Sequence, residues 1–120
     1  MERFIYQAKV LSVYDSDTFT LSIDLGCNVT IKEKVRLHGL DAPEIRTKNI
    51  KEKELALEGR DFVRSLILKK TIMIKTLKDK TGKFGRYLII VYINDINLND
   101  LLIEKGYARF YDGGKRKKWF

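Results

Sequence analysis

Apolar and polar residues alternate over the first third of the chain, a period of two that is typical of strands burying one face. Residues 3–13 alternate loosely and predict a first strand. After a turn, the buried side of a second strand is predicted from four alternate apolar residues: Phe19, Leu21, Ile23 and Leu25. The alternation continues through residues 29–37, where Arg36 takes the polar side of a third strand.

At residues 51–69 the pattern changes to the spacing of a helix with one buried side. Val63 and Ile67 widen a predicted stripe that consists of Leu55, Gly59, Phe62 and Leu66. A glycine inside a helix costs about 1 kcal/mol relative to alanine, so Gly59 predicts a close contact between this helix and the sheet.

Further strands are predicted at residues 71–77 and 86–93, then a helix at about 98–105 and a short strand at 107–111. This order predicts a mainly β, α+β fold: a five-stranded OB-fold barrel with two or three α-helices packed outside. No repeat or linker interrupts the pattern, so residues 1–120 are predicted to form one domain.

The formal net charge is +8, with a pI of about 9.6. Such a surface suits a phosphate-bearing polyanion such as nucleic acid, although solvated lysines alone would give the same composition. The basic residues 115–120 end in Trp119 and Phe120. A frayed end is the favoured interpretation of this segment, and contact with nucleic acid is the alternative.

Composition also excludes several classes of protein. One cysteine and one histidine cannot build a disulfide framework or a zinc site of these residue types. No apolar run is long enough to cross a bilayer, and no secretory signal follows Met1, so no membrane role is expected. A cytoplasmic location is expected if this is the full-length chain, and secretion if it is a processed form.

Asp17 falls on the apolar phase of the second strand. An inward carboxylate is costly unless it is paired or bound to a cation. It could instead fix its own turn, which is a common role for aspartate, and its position taken alone favours that interpretation.

The stretch from Arg36 to Glu44 combines residue types suited to phosphate chemistry. Arg36 can hold a phosphate through two hydrogen bonds, and Asp41 offers oxygen to a hard cation such as Ca²⁺ or Mg²⁺. Glu44 is a candidate general base. Arg86 is a further candidate because it stands where a polar hairpin meets a buried strand. Together they predict metal-assisted attack on a phosphate ester.

Three motifs occur in a definite order around the predicted helix: Asp15-Ser16-Asp17-Thr18, Arg36-Leu37-His38-Gly39-Leu40-Asp41-Ala42-Pro43-Glu44 and Lys83-Phe84-Gly85-Arg86. On these motifs, the chain resembles the thermonuclease family, the staphylococcal-nuclease-like Ca²⁺-dependent nucleases, over roughly residues 5–111. The resemblance implies Ca²⁺ as cofactor, held by the carboxylates of Asp17 and Asp41 and by the main-chain carbonyl of Ala42. The resemblance therefore favours binding of a cation by Asp17 over the alternative that Asp17 fixes its own turn.

The resemblance also implies the remaining roles. Glu44 would orient or deprotonate the attacking water, and Arg36 and Arg86 would clamp the scissile phosphate. Lys83 and Phe84 would line the nucleotide pocket. The implied reaction is hydrolysis of DNA or RNA with little sequence specificity, leaving a 3′-phosphate.

Three positions depart from the family pattern. Ser16 replaces a usual glycine, Ala42 a frequent threonine, and Phe84 a frequent tyrosine. A main-chain ligand at Ala42 survives its change, whereas Phe84 removes one possible hydrogen bond to a terminal phosphate.

Two other functions compete with the nuclease: an OB-type module that binds nucleic acid without cutting it, and a basic scaffold for acidic proteins. The presence of all five charged site residues favours the enzyme over the binding module, and the scaffold leaves their spacing unexplained. A monomer without an obligate protein partner is expected.

Overall fold

The computed structural model describes residues 3–81, 86–112 and 114–120. Its strands are β1 Ile5–Asp15, β2 Thr18–Gly26, β3 Val29–Leu37, β4 Leu40–Asp41, β5 Thr71–Thr81, β6 Tyr87–Ile93, β7 Ile96–Asn97 and β8 Arg109–Phe110. Its helices are α1 Ile50–Ile67 and α2 Leu98–Glu104. None of these helices is long and apolar enough to cross a membrane.

Five strands close into a barrel in the order β3-β2-β1-β5-β6. Neighbouring strands in this order pair antiparallel, and a parallel pairing of β3 with β6 closes the barrel. The described residues also form two helices, α1 and α2, which contribute side chains to the same core. The predicted five-stranded OB-type barrel of an α+β fold is therefore confirmed.

Alternation fills the barrel because every second side chain of a strand points to the same face. Phe19 and Leu21 of β2 are fully buried, and Ile89 and Val91 of β6 meet them in one core. Leu25 is the exception to the predicted buried face of β2. It is exposed near the end of the strand, where the β2–β3 hairpin extends beyond the core.

Helix α1 begins after Asn49, whose side chain accepts a hydrogen bond from the Glu52 N–H at 3.0 Å. Its fully buried residues are Ala56, Gly59, Val63 and Ile67. The predicted stripe is therefore rotated: Val63 and Ile67 are at the centre of the buried face, while Phe62 and Leu66 are half-buried beside it. The helix ends two residues earlier than predicted.

Gly59 marks a close contact, but its neighbour is not the sheet. A Cβ at this position would lie 3.2 Å from the Tyr107 Cβ, in the segment that follows α2. The prediction of close helix–sheet packing at Gly59 was thus wrong about the partner, because sequence spacing shows which face is buried and not what covers it.

Candidate active site

The pairing of β2 with β3 brings Asp17 next to Arg36. Thr18 pairs with Arg36 in the ladder, and the Leu37 N–H donates to the Asp17 carbonyl at 2.9 Å. The Arg36 Nε lies 3.6 Å from the Asp17 Oδ2. Asp17 is only 5% exposed, so a guanidinium offsets part of the cost of burying its carboxylate.

Asp41 reaches the same place through the turn between β3 and β4. Gly39 in this turn has a φ of +82°, which favours glycine, and its carbonyl accepts a hydrogen bond from the Tyr111 N–H at 2.9 Å. The Arg36 Nη2 lies 3.9 Å from the Asp41 Oδ1, and Asp41 is 1% exposed. Arg36 therefore bridges two buried aspartates, Asp17 and Asp41.

One cleft of about 1260 Å³ contains most of the predicted site. Its lining includes six predicted site residues: Asp17, Arg36, Asp41, Ala42, Glu44 and Arg86. The chain thus places on one cleft three segments that are far apart in sequence. Lys83 and Phe84, the predicted nucleotide-pocket residues, lie outside the described residues.

Glu44 stands at the outer edge of this cleft, with a side chain that is 48% exposed. Its own N–H donates to the Glu52 Oε2 at 2.8 Å, which ties the loop after β4 to the first turn of α1. The carboxylate can therefore be reached by water while its backbone is held.

Asp15 lines the same cleft as Asp17 and is also buried. Its Oδ1 accepts a hydrogen bond from the Asp17 N–H at 3.1 Å, which closes the turn between β1 and β2. Burial, together with the hydrogen bond and negative charge of the Asp17 side chain, raises the pKa of Asp15 to about 8. Asp15 therefore releases its proton less readily than an exposed aspartate does.

Two arginines that sequence reasoning missed also contact Asp41. The Arg109 Nη2 lies 3.1 Å from the Asp41 Oδ2, a contact set by the pairing of β4 with β8. The Arg116 Nε lies 2.8 Å from the Asp41 Oδ1. The residues after position 114 therefore fold back onto the site, and the predicted frayed end was wrong in this respect. Their basic composition was the single sequence signal, and it did not indicate an internal partner.

Arg116 also contacts Glu44. Burial lowers the pKa of the Arg116 guanidinium, but its hydrogen bonds and ion pairs with Glu44 and Asp41 outweigh this effect and raise the pKa above its ordinary value. The Arg116 guanidinium therefore keeps its positive charge in this contact.

The donor chemistry of the cleft fits a hard cation. Within the described residues, no group of three or more His, Cys, Asp or Glu side chains is close enough to form a metal site. Two buried carboxylates that share Arg36 are present, however, and the Ala42 carbonyl accepts a hydrogen bond from Arg116 at 3.2 Å beside them. These oxygens suit Ca²⁺ or Mg²⁺, which complete their shells with water and substrate oxygens.

Comparison of the sequence with known proteins identifies a matching family. A family model described as "Staphylococcal nuclease homologue" matches residues 34–118. The matched residues include Arg36, Asp41, Glu44 and Arg86, together with the segment that carries Arg116.

Individual relatives are more distant. An uncharacterized protein of Methanocaldococcus jannaschii is 33% identical over 88% of this chain and 59% of its own length. An uncharacterized protein of Bacillus anthracis is 29% identical over 85% of this chain and 46% of its own length. A thermonuclease of Staphylococcus hyicus is 26% identical over 84% of this chain and 57% of its own length. The chain thus spans about half the length of the curated relatives it matches.

Proposed function

Because the chain belongs to the family of staphylococcal nuclease homologues, we propose that it is a Ca²⁺-dependent nuclease that hydrolyses phosphodiester bonds of DNA or RNA with little sequence specificity. One observation carries the proposal: Arg36 bridges two buried aspartates in a cleft that Glu44 and Arg86 also line. This combination supplies oxygen ligands, phosphate-binding cations and a carboxylate base together.

The acidic part of the cleft would hold the metal through the carboxylates of Asp17 and Asp41 and the Ala42 carbonyl. When bound there, Ca²⁺ supplies positive charge that neutralises the phosphodiester and orients a water molecule.

The basic part of the cleft would hold the substrate. Arg36 presents a planar fork that matches two phosphate oxygens, and Arg86 lines the cleft with it. Negative charge grows on these oxygens as the attacking water approaches phosphorus. Positive groups that are already in place stabilise that charge without reorganisation.

Glu44 would take the proton from the attacking water. The water oxygen then bonds to phosphorus, the phosphorus–5′-oxygen bond breaks, and the leaving oxygen takes up a proton. The products are a 3′-phosphate and a 5′-hydroxyl. An exposed carboxylate on the rim of a basic cleft is accessible for this exchange of protons with solvent.

The rival function is an OB-type module that binds nucleic acid without cutting it. Two observations favour it: the net charge of +8, and the ion pair that engages Glu44 with Arg116. Both functions predict binding to DNA, so binding alone does not separate them.

Glu44→Gln separates the two functions. The variant keeps the shape of the side chain but cannot accept a proton, so we expect single-stranded DNA cleavage in Ca²⁺ to fall by about 10²- to 10⁴-fold. DNA binding, measured by fluorescence anisotropy, should be retained. Glu54→Gln makes the same change at an exposed position of α1 and should cleave like the wild type.

Two results would contradict different parts of this proposal. Undiminished cleavage by Glu44→Gln would overturn the role of Glu44 as base and leave the nuclease standing. Wild-type protein that binds DNA and RNA in Ca²⁺ but cuts neither would establish the binding module instead.

A further inference from the structure

The last residues of the chain lie against the cleft instead of extending into solvent. We call residues 114–120 the tail. The Arg109 guanidinium lies 4.3 Å from the centre of the Trp119 ring, and its N–H groups donate to the carbonyls of Lys117 and Lys118. Arg109 therefore holds the tail while it also contacts Asp41.

One tail side chain enters the acidic part of the site. The Arg116 Nε lies 2.8 Å from the Asp41 Oδ1, and its Nη1 lies 2.5 Å from the Glu44 Oε1. Its Nη2 donates to the Ala42 carbonyl at 3.2 Å. These three partners comprise two of the proposed metal ligands and the proposed base.

A guanidinium and a metal ion cannot share these oxygens. Ca²⁺ binds oxygen at about 2.3–2.6 Å, which places it where the Arg116 nitrogens now lie. The two are also both cations, so their charges repel. Arg116 must therefore leave before Asp41 and Ala42 can hold a metal.

Two features of the tail allow it to detach from the cleft. The Arg116 side chain is 37% exposed, and the tail forms no helix or strand that would have to unfold. The ion pair of Arg116 with Glu44 is exposed on both sides, and such pairs are weak and are screened by salt. The ion pair with Asp41 has one buried partner, so a stronger cation must displace it. A divalent ion can replace this monovalent cation on the same oxygens.

We propose that the tail is an autoinhibitory strap, in which Arg116 occupies the cation position and Ca²⁺ displaces it. This inference rests on the proposed function, because it assigns the regulation of the same site. Activation by Ca²⁺ then requires the tail to detach. Competition with Arg116 lowers the affinity of the wild type for Ca²⁺.

Trp119 is the single tryptophan of the chain, so its fluorescence reports directly on the tail. In a Ca²⁺ titration of the full wild-type chain, we expect the emission to shift to longer wavelength as the ring leaves Arg109 for solvent. Arg116→Gln should bind Ca²⁺ roughly tenfold more tightly by calorimetry, since two ion pairs no longer compete. Arg116→Lys keeps the charge without the fork and should lie between the two.

Lys117→Gln is the matched control. It removes the same charge from the same segment at an exposed side chain, and it should bind Ca²⁺ with wild-type affinity. Equal melting temperatures of the variants in EDTA would verify that the barrel is intact in each.

Two results would overturn the strap. One is an Arg116→Gln affinity for Ca²⁺ equal to or weaker than that of the wild type. The other is Trp119 emission that stays constant while Ca²⁺ saturates the wild type. If the wild type still cleaves DNA in Ca²⁺ under either result, the nuclease stands and the strap falls. If neither the wild type nor Arg116→Gln binds Ca²⁺, both the strap and the Ca²⁺-dependent nuclease are wrong.

Discussion

Asp41 is the residue on which the site converges. Its carboxylate is 1% exposed and is contacted by three arginines: Arg36, Arg109 and Arg116. A carboxylate loses hydration when it is buried, and these three guanidinium groups offset part of that loss for Asp41. The three arginines come from different parts of the chain and have different tasks. Arg36 faces both aspartates, Arg109 anchors the tail, and Arg116 belongs to the tail.

Arg36→Lys tests whether the guanidinium of Arg36 binds two phosphate oxygens. It preserves the positive charge but loses the two-pronged geometry, so we expect cleavage of single-stranded DNA to fall at least about 100-fold. Arg60→Lys on α1 is the control, because Asp61, its exposed neighbour, is the one ion-pair partner of Arg60 within the described part of the chain. An Arg36→Lys rate near that of the wild type would show that charge alone suffices and that Arg36 does not grip two oxygens.

At the scale of elements, α2 fixes the turn that carries Asp41. Asn99 is buried, and its Nδ2 donates to the carbonyls of His38 at 3.0 Å and Ile89 at 3.2 Å. Its Oδ1 accepts a hydrogen bond from the Val91 N–H at 3.1 Å. One side chain thus ties α2 to β6 and to the end of β3, close to the cleft.

Asn99→Ala should cost about 2–3 kcal/mol in the free energy of unfolding, since it leaves three buried backbone groups without this partner. Asn97→Ala on the same helix removes only its N-cap, a bond of 3.1 Å to the Asp100 N–H, and should cost about 1 kcal/mol. Urea denaturation of both variants measures the difference. Equal costs would mean that Asn99 does not brace the turn.

The elements also show what the sequence could and could not predict. The first three barrel strands and helix α1 followed from periodicity, because each is long enough to repeat its pattern. Strands β4 and β7 have two residues each and carry no period, so nothing local predicted them. The contact between Gly59 and Tyr107 joins residues far apart in sequence, and a helical stripe cannot reveal such a partner.

The same distinction applies to the site. Asp17, Arg36, Asp41, Glu44 and Arg86 were predicted from motifs, and the barrel places them on one cleft. Arg109 and Arg116 were missed because their significance depends on the end of the chain folding back. In the sequence, both are ordinary basic residues within a strongly basic protein.

At the scale of the whole molecule, the net charge of +8 governs encounter with a polyanion. Binding of Glu44→Gln to single-stranded DNA should weaken linearly on a plot of log affinity against log salt, with a slope of roughly −0.7 for each phosphate neutralised. Anisotropy titrations at several salt concentrations measure the slope. Affinity independent of salt would contradict an electrostatic interface, and the cleft would then require another ligand.

If a hard cation held by the buried aspartates drives phosphodiester hydrolysis, cleavage must depend on that cation. Cleavage of 5′-labelled single-stranded DNA by the wild-type chain is therefore measured in Ca²⁺, in EDTA, and after Ca²⁺ is returned in excess. We predict fragments ending in a 3′-phosphate in Ca²⁺, none in EDTA, and full recovery on re-addition. Equal cleavage in EDTA, or intact DNA in Ca²⁺, would contradict this dependence on the cation.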